Sequence, residues 1–162
     1  MNIHQLALTM INGVGSITAR QLLESLGSAE AVFSENPRLL ERIPGIGETT
    51  ASAIKDSGAL LKAEQELKFI EKNNIKCIFI EDKDYPKRLK ECNDAPLVLY
   101  YKGNADLNAK HIISIVGTRK ISDYGRNLTE NLIQGISEKF PDTLIISGLA
   151  YGIDVCAHRN AL

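Results

Sequence analysis

Two short turns, Gly13-Val14-Gly15 and Gly45-Ile46-Gly47, each interrupt a helical pattern that then resumes, and this repeat limits the amino-terminal half more than any other feature. Ahead of the first turn, Ile3, Leu6, Ala7, Met10 and Ile11 follow the i, i+3, i+4, i+7, i+8 spacing of a helix with one buried face. Beyond it, Ala19, Leu22, Leu23 and Leu26 restore the stripe, and Gly27 is placed to end it. The second copy has the same plan. Pro37 suits a helix's first turn, Leu39, Leu40 and Ile43 precede the glycines, and Ala51 and Ile54 follow them up to Gly58. A dinucleotide-binding fingerprint needs a strand before its glycines. Helices lead into both turns here, so that reading fails.

Helix, Gly-h-Gly turn (h apolar), helix, repeated, resembles a helix-hairpin-helix pair. Glycines let the backbone turn tightly and leave amide N–H groups and a helix N-terminus facing outward, where one phosphate can be held. Gly13, Gly15, Gly45 and Gly47 are the candidate phosphate contacts of this unit. Its charge argues the other way. Residues 1–70 carry six basic and eight acidic side chains, whereas duplex affinity rests on neutralising phosphates. Glu48 directly follows the second turn, where a carboxylate stabilises the helix N-terminus and repels DNA. A structural or partner-binding role is therefore expected to outweigh DNA binding in this unit.

The chain as a whole has 19 basic and 20 acidic residues for a formal charge of −1, so any nucleic-acid site must be a local patch. Cys77, Cys92 and Cys156 are odd in number, widely spaced and in no Cys-x-x-Cys pair, and the first residues are amphipathic rather than a basic-then-apolar leader. A cytoplasmic setting is expected. No apolar run approaches the roughly 20 residues of a membrane span, so no membrane partner is expected.

The helical stripe of Leu60, Ala63, Leu67 and Ile70 stops at Asn73 and Asn74, which places a boundary between an all-α domain, residues 1–70, and a second domain, residues 71–162. There, residues 75–80, 96–101, 112–116 and 143–147 read as strands. Leu128, Leu132, Ile133 and Ile136 mark a helix between the last two, capped by Ser122 or Asp123. Strand, helix, strand implies a parallel crossover and hence an α/β sheet. Both parallel strands run into glycine-bearing turns at their carboxyl ends, where open α/β sheets bind ligands. Gly117, Thr118, Arg119 and Lys120 form the first, and Ser147, Gly148, Tyr151 and Gly152 belong to the second. A phosphate-bearing ligand suits such a crevice, although glycines at strand-to-helix turns also arise from close packing alone.

Other signals are weaker. Cys156 and His158 are too few to hold a metal, and no Walker-A loop or Gly-x-Ser-x-Gly elbow is present, so no metal, cofactor or catalytic residue is assigned. Asp154 reads as a helix cap and His158 as a local hydrogen-bonding residue. Tyr85, Tyr100 and Tyr101 read as ordinary core or edge aromatics, while Tyr124 and Tyr151 stand apart because they sit in the two anion loops.

Residues 84–104 (DYPKRLKECNDAPLVLYYKGN), 115–125 (IVGTRKISDYG) and 145–162 (IISGLAYGIDVCAHRNAL) together resemble the DNA-processing protein A family, DprA or Smf, in both order and spacing. That resemblance implies a non-enzymatic single-stranded DNA-binding protein of the bacterial cytoplasm. Such a protein protects incoming DNA in natural transformation and loads a RecA-type recombinase. It also implies an extended Rossmann-like domain whose DNA pocket includes the arginine of the Val-Gly-Ser/Thr-Arg motif, here Arg119. Family members continue past the Ala-His-Arg motif with further strands and a dimer interface. This sequence is accordingly expected to hold a partial Rossmann-like parallel sheet, to lack the region of a possible homodimer, and to leave an apolar edge open to self-association. Two other function classes stay open, a nucleotide-handling enzyme on a Rossmann-like fold and an interaction scaffold without DNA affinity of its own.

Overall fold

Helix α1 (Ile3–Leu8) begins with a capping box: the Asn2 carboxamide accepts from the His4 N–H at 2.7 Å while the Gln5 side chain accepts from the Asn2 N–H at 2.8 Å. It leads through the first glycine turn to α2 (Ser16–Leu26), which ends at Gly27 with φ +81 and a Gly27 N–H to Leu23 carbonyl bond of 2.7 Å. This is the left-handed stop expected from the sequence. Helices α3 (Ala29–Ser34) and α4 (Pro37–Leu40) are capped by Ser28 and Asn36. After Leu40 the apolar pattern continues to Ile43, but the backbone tightens into bonds between residues three apart, Arg42 to Leu39 at 3.1 Å and Ile43 to Leu40 at 3.0 Å. The second glycine turn then leads to α5 (Glu48–Asp56), followed by α6 (Ala59–Lys72).

The computed structural model describes residues 2–56 and 58–162, and within it the two hairpin turns are near copies of each other. Gly13 and Gly45 have φ of +81 and +82. Val14 N–H bonds to the Ile11 carbonyl at 3.2 Å and Ile46 N–H to that of Ile43 at 3.0 Å. The middle residue of each turn, Val14 or Ile46, is a buried plug. The left-handed glycine thus lets the chain reverse while its neighbour is buried, as Leu6, Leu22, Leu40 and Ile54 of the helices are.

Strands β1 (Lys76–Phe79) and β2 (Val98–Tyr101) pair antiparallel, Lys76 opposite Tyr101 and Phe79 opposite Val98. Between them, just before the short helix α7 (Lys87–Lys90), the buried Tyr85 donates its hydroxyl to the Pro96 carbonyl at 2.6 Å and draws this excursion closed. Contacts divide the chain into Met1–Gly103 and Asn104–Leu162. The boundary expected near residue 70 separates helices from strands, but this antiparallel pair belongs with the helices. Arg20 of α2 reaches across to donate to the Cys92 carbonyl at 2.8 Å.

The second unit is β3 (His111–Ser114), α8 (Asp123–Lys139), β4 (Thr143–Ile146) and α9 (Ile153–Ala161). The strands are parallel, His111 opposite Thr143 and Ser114 opposite Ile146, so the strand-helix-strand order does form a parallel crossover. This gives the mixed α/β class and the partial Rossmann-like pair expected from the sequence. Ser122 caps α8 by accepting from the Gly125 N–H at 3.2 Å. Val116, placed by its sequence in a strand, lies beyond β3 and is exposed, because the ladder ends one residue earlier with Ile115 N–H to the Ile146 carbonyl at 2.9 Å. Parallel strands are usually covered on both faces; here Ile113 and Ile146 remain exposed.

Candidate nucleic-acid interface

Beyond β3 and β4 the chain makes two loops, residues 115–122 and 147–152, that hold each other in place. Ser147 begins the second by donating its hydroxyl to the Ile115 carbonyl at 2.6 Å, extending the ladder with a side chain. The Ile153 N–H at the start of α9 then bonds to the Thr118 carbonyl at 3.2 Å. Glycines make this approach possible. A Cβ on Gly152, at φ +89, would lie 2.1 Å from the Thr118 carbonyl oxygen and 2.7 Å from that of Arg119. One on Gly117 would lie 2.5 Å from Ile153 Cγ1. These two positions therefore need glycine for the contact between the loops.

The clamp leaves particular side chains facing outward. Thr118 Oγ1 accepts from the Lys120 N–H at 3.2 Å, forming a local turn that sets the backbone of the basic pair. Arg119 and Lys120 are both exposed, and neither side chain has a hydrogen bond or ion pair among the described residues. Asp123 does not neutralise Arg119. Tyr151 is 84% exposed at the tip of the second loop, and Tyr124, on the first turn of α8, is 77% exposed. Leu149 takes φ +57, uncommon for a leucine, and is also exposed. The result is a pair of loops, joined through their backbones, that carry unpaired cations able to meet an anion and an exposed aromatic ring.

Of the sequence-predicted residues, the structure brings Gly117, Thr118, Arg119, Lys120, Ser147, Gly148, Tyr151 and Gly152 together in these two loops. Their tasks differ. Ser147, Gly117 and Gly152 build the clamp, and a Cβ on Gly148 would stand 3.1 Å from Asp154 Oδ2. Arg119, Lys120 and Tyr151 face solvent. Asp154 is buried at the start of α9 with Oδ1 unpartnered, and Cys156 is buried beside it. No group of His, Cys, Asp or Glu among the described residues is arranged to hold a metal. Sequence reasoning passed over Arg126 and Arg159. The available signal was their position on the two helices that leave these loops.

The hairpin glycines belong to the other unit. Gly15 and Ser16 line a cleft of about 300 Å³ whose far wall is Pro96, Leu97, Val98 and Tyr100. Tyr100 is 49% exposed, but desolvation of its hydroxyl on the protein side, reinforced by the Glu66 carboxylate and a hydrogen bond to it, pushes the hydroxyl up to about 12. Gly45 abuts Gln21, whose Oε1 would be 3.4 Å from a Cβ there, while Gly13 and Gly47 meet nothing within 4 Å. Glu48 occupies the first turn of α5. Two of the unit's cations are already engaged, Arg20 on the Cys92 carbonyl and Lys55 on that of Phe33 at 2.5 Å.

Comparison with known proteins gives this geometry a relationship. Residues 76–162 match the family described as DNA recombination-mediator protein A. This chain belongs to that family. Residues 6–57 match the SAM-like helix-hairpin-helix tandem, in agreement with the paired turns. Protein Smf of Synechocystis sp. is 30% identical over 161 residues, covering 97% of this chain and 40% of that protein. DNA processing protein DprA of Streptococcus pneumoniae is 45% identical over 83 residues, 51% of this chain and 28% of that one. The X-ray structure of the Streptococcus pneumoniae protein superposes with a TM-score of 0.68 at 25% identity, covering 99% of this chain and 54% of that chain. This family member thus spans 40% of the length of its Synechocystis relative and about half of the Streptococcus pneumoniae chain. No helix among the described residues is long and apolar enough to cross a membrane.

Proposed function

We propose that this chain serves DNA processing by holding single-stranded DNA at the carboxyl ends of β3 and β4. The observation that carries the reading is the contact between the two loops, which holds together the backbone segments that bear the unpaired cations Arg119 and Lys120 and the exposed Tyr151. A guanidinium forks onto a phosphate, and an exposed ring stacks on any base. A duplex keeps its bases stacked inside, so the ring has no use there. Membership of a family whose relatives are called DNA processing proteins supports the same direction.

The role we assign is binding without catalysis, in the cytoplasm, protecting incoming strands in natural transformation and presenting them to a RecA-type recombinase. Because the chain spans 40% of its Synechocystis relative, recombinase loading and homodimerisation are proposed for the whole protein rather than for these residues. Titration with a fluorescent single-stranded oligonucleotide and its matched duplex, at two salt concentrations, tests the reading. Preference for the single strand with affinity falling as salt rises is expected. Equal binding of duplex, or turnover of nucleotides without DNA binding, would replace it.

A further inference from the structure

Between the first half of α8 and the length of α9 lies a groove of about 280 Å³ that borders the preceding site at Tyr151 and Gly152. Arg126 and Glu130 project into it from α8, Arg159 and Asn160 from α9, and Tyr151 and Gly152 close its upper end. Both arginines are exposed, and neither has a hydrogen bond or ion pair among the described residues. Arg126 does not bond to Glu130, although they stand one turn apart. Asn160 is anchored, its amide donating to the Cys156 carbonyl at 2.8 Å. Two guanidinium groups from different helices meeting one carboxylate leave a polar groove with a net positive charge.

We infer that this groove is a second phosphate subsite, which takes the nucleotide next to the one held at Arg119 on the same single strand. The inference rests on the proposed DNA-binding reading and extends it. Gly152 is the shared wall, because its other side packs on the carbonyls of Thr118 and Arg119. A strand leaving the Arg119 loop therefore passes Tyr151 and enters the groove directly. The planar forks of Arg126 and Arg159 suit a phosphodiester's two free oxygens. Glu130 opposes the phosphate by like charge, so it limits affinity rather than supplying it.

The test uses labelled oligo-dT with the whole chain and three variants: Arg119→Ala, the double variant Arg126→Gln/Arg159→Gln, and Glu130→Gln. Thermal unfolding checks that each stays folded. The double variant should bind about tenfold more weakly, and the slope of log affinity against log salt should flatten by about 0.7 for one lost phosphate contact. Glu130→Gln should bind more tightly than the parent, a gain that misfolding cannot imitate. The mononucleotide dTMP offers the same phosphate from another source and should displace the oligonucleotide only at large excess. Displacement at concentrations comparable to the oligonucleotide would make the groove a free-nucleotide site and overturn its assignment to a strand. If Arg119→Ala weakens binding while the double variant keeps both affinity and slope, this inference falls alone. If the parent binds no oligonucleotide, the DNA-binding reading falls with it.

Discussion

Replacing Gly152 with alanine tests whether the two loops are truly clamped. At this position φ is +89 and ψ −126, a combination essentially confined to glycine, so a side chain costs about 1–3 kcal/mol in backbone strain alone. The added Cβ would also stand 2.1 Å from the Thr118 carbonyl oxygen and 2.7 Å from that of Arg119, which are backbone atoms unable to rotate aside. Overpacking of this kind typically costs about 1–3 kcal/mol more, after the loops have moved apart as far as they can. Gly152→Ala should therefore destabilise the second unit by about 2–6 kcal/mol. Gly13→Ala is the matched control, because φ is similarly positive at +81 but nothing lies within 4 Å of the new atom. It should cost only about 1–2 kcal/mol, the strain term by itself. Urea unfolding followed by circular dichroism, with hydrogen exchange to assign the loss to the second unit, measures both. A cost for Gly152→Ala no larger than for Gly13→Ala would refute the contact between the loops.

The hairpin plug predicts that Ile46→Ala costs about 2–4 kcal/mol, whereas Ile17→Ala, at a side chain 58% exposed, should stay within about 0.5 kcal/mol in the same assay. Glu48→Lys should strengthen duplex binding if the second hairpin faces nucleic acid, and unchanged affinity would show that it does not. Because the Tyr100 hydroxyl is raised to about 12 from its ordinary value of 10.0, the folded state favours the protonated ring. That contribution is complete below pH 10 and is lost as pH rises towards 12. Phenolate absorbance should show two late-titrating tyrosines, Tyr100 and the buried Tyr85, whose hydroxyl desolvation also raises; the Tyr100 step should be absent in Tyr100→Phe and shifted down in Glu66→Gln.

The hairpin pair was legible because one residue type carries each instruction: a glycine for the positive φ, an apolar residue for the plug, and helical stripes on either side. The parallel pair was legible for a similar reason, since β3, α8 and β4 follow each other with Ser122 at the helix start. The division after Gly103 was not legible, because it depends on contacts between distant residues such as Arg20 and Cys92. In the site, sequence found the two loops but not the division of labour within them. A glycine beside a strand end looks the same whether it admits a ligand or another loop. Only the positions of Thr118 and Ile153 show that Gly152 and Gly117 serve the clamp. Arg126 and Arg159 are 33 residues apart in sequence and acquire a common groove only when α8 and α9 pack together.

The most direct measurement is the affinity of Arg119→Ala for single-stranded DNA across a salt series, beside the parent chain and Arg119→Lys. Arg119 makes no hydrogen bond or ion pair among the described residues, so its removal should leave thermal stability unchanged. Affinity should fall by about 1.5–3 kcal/mol for a lost charge-assisted contact. The salt slope should flatten by about 0.7, and lysine should restore the slope but only part of the affinity, since it keeps the charge and loses the fork. An Arg119→Ala chain that binds as tightly as its parent, with the same salt slope, would contradict the placement of the DNA site at the clamped loops.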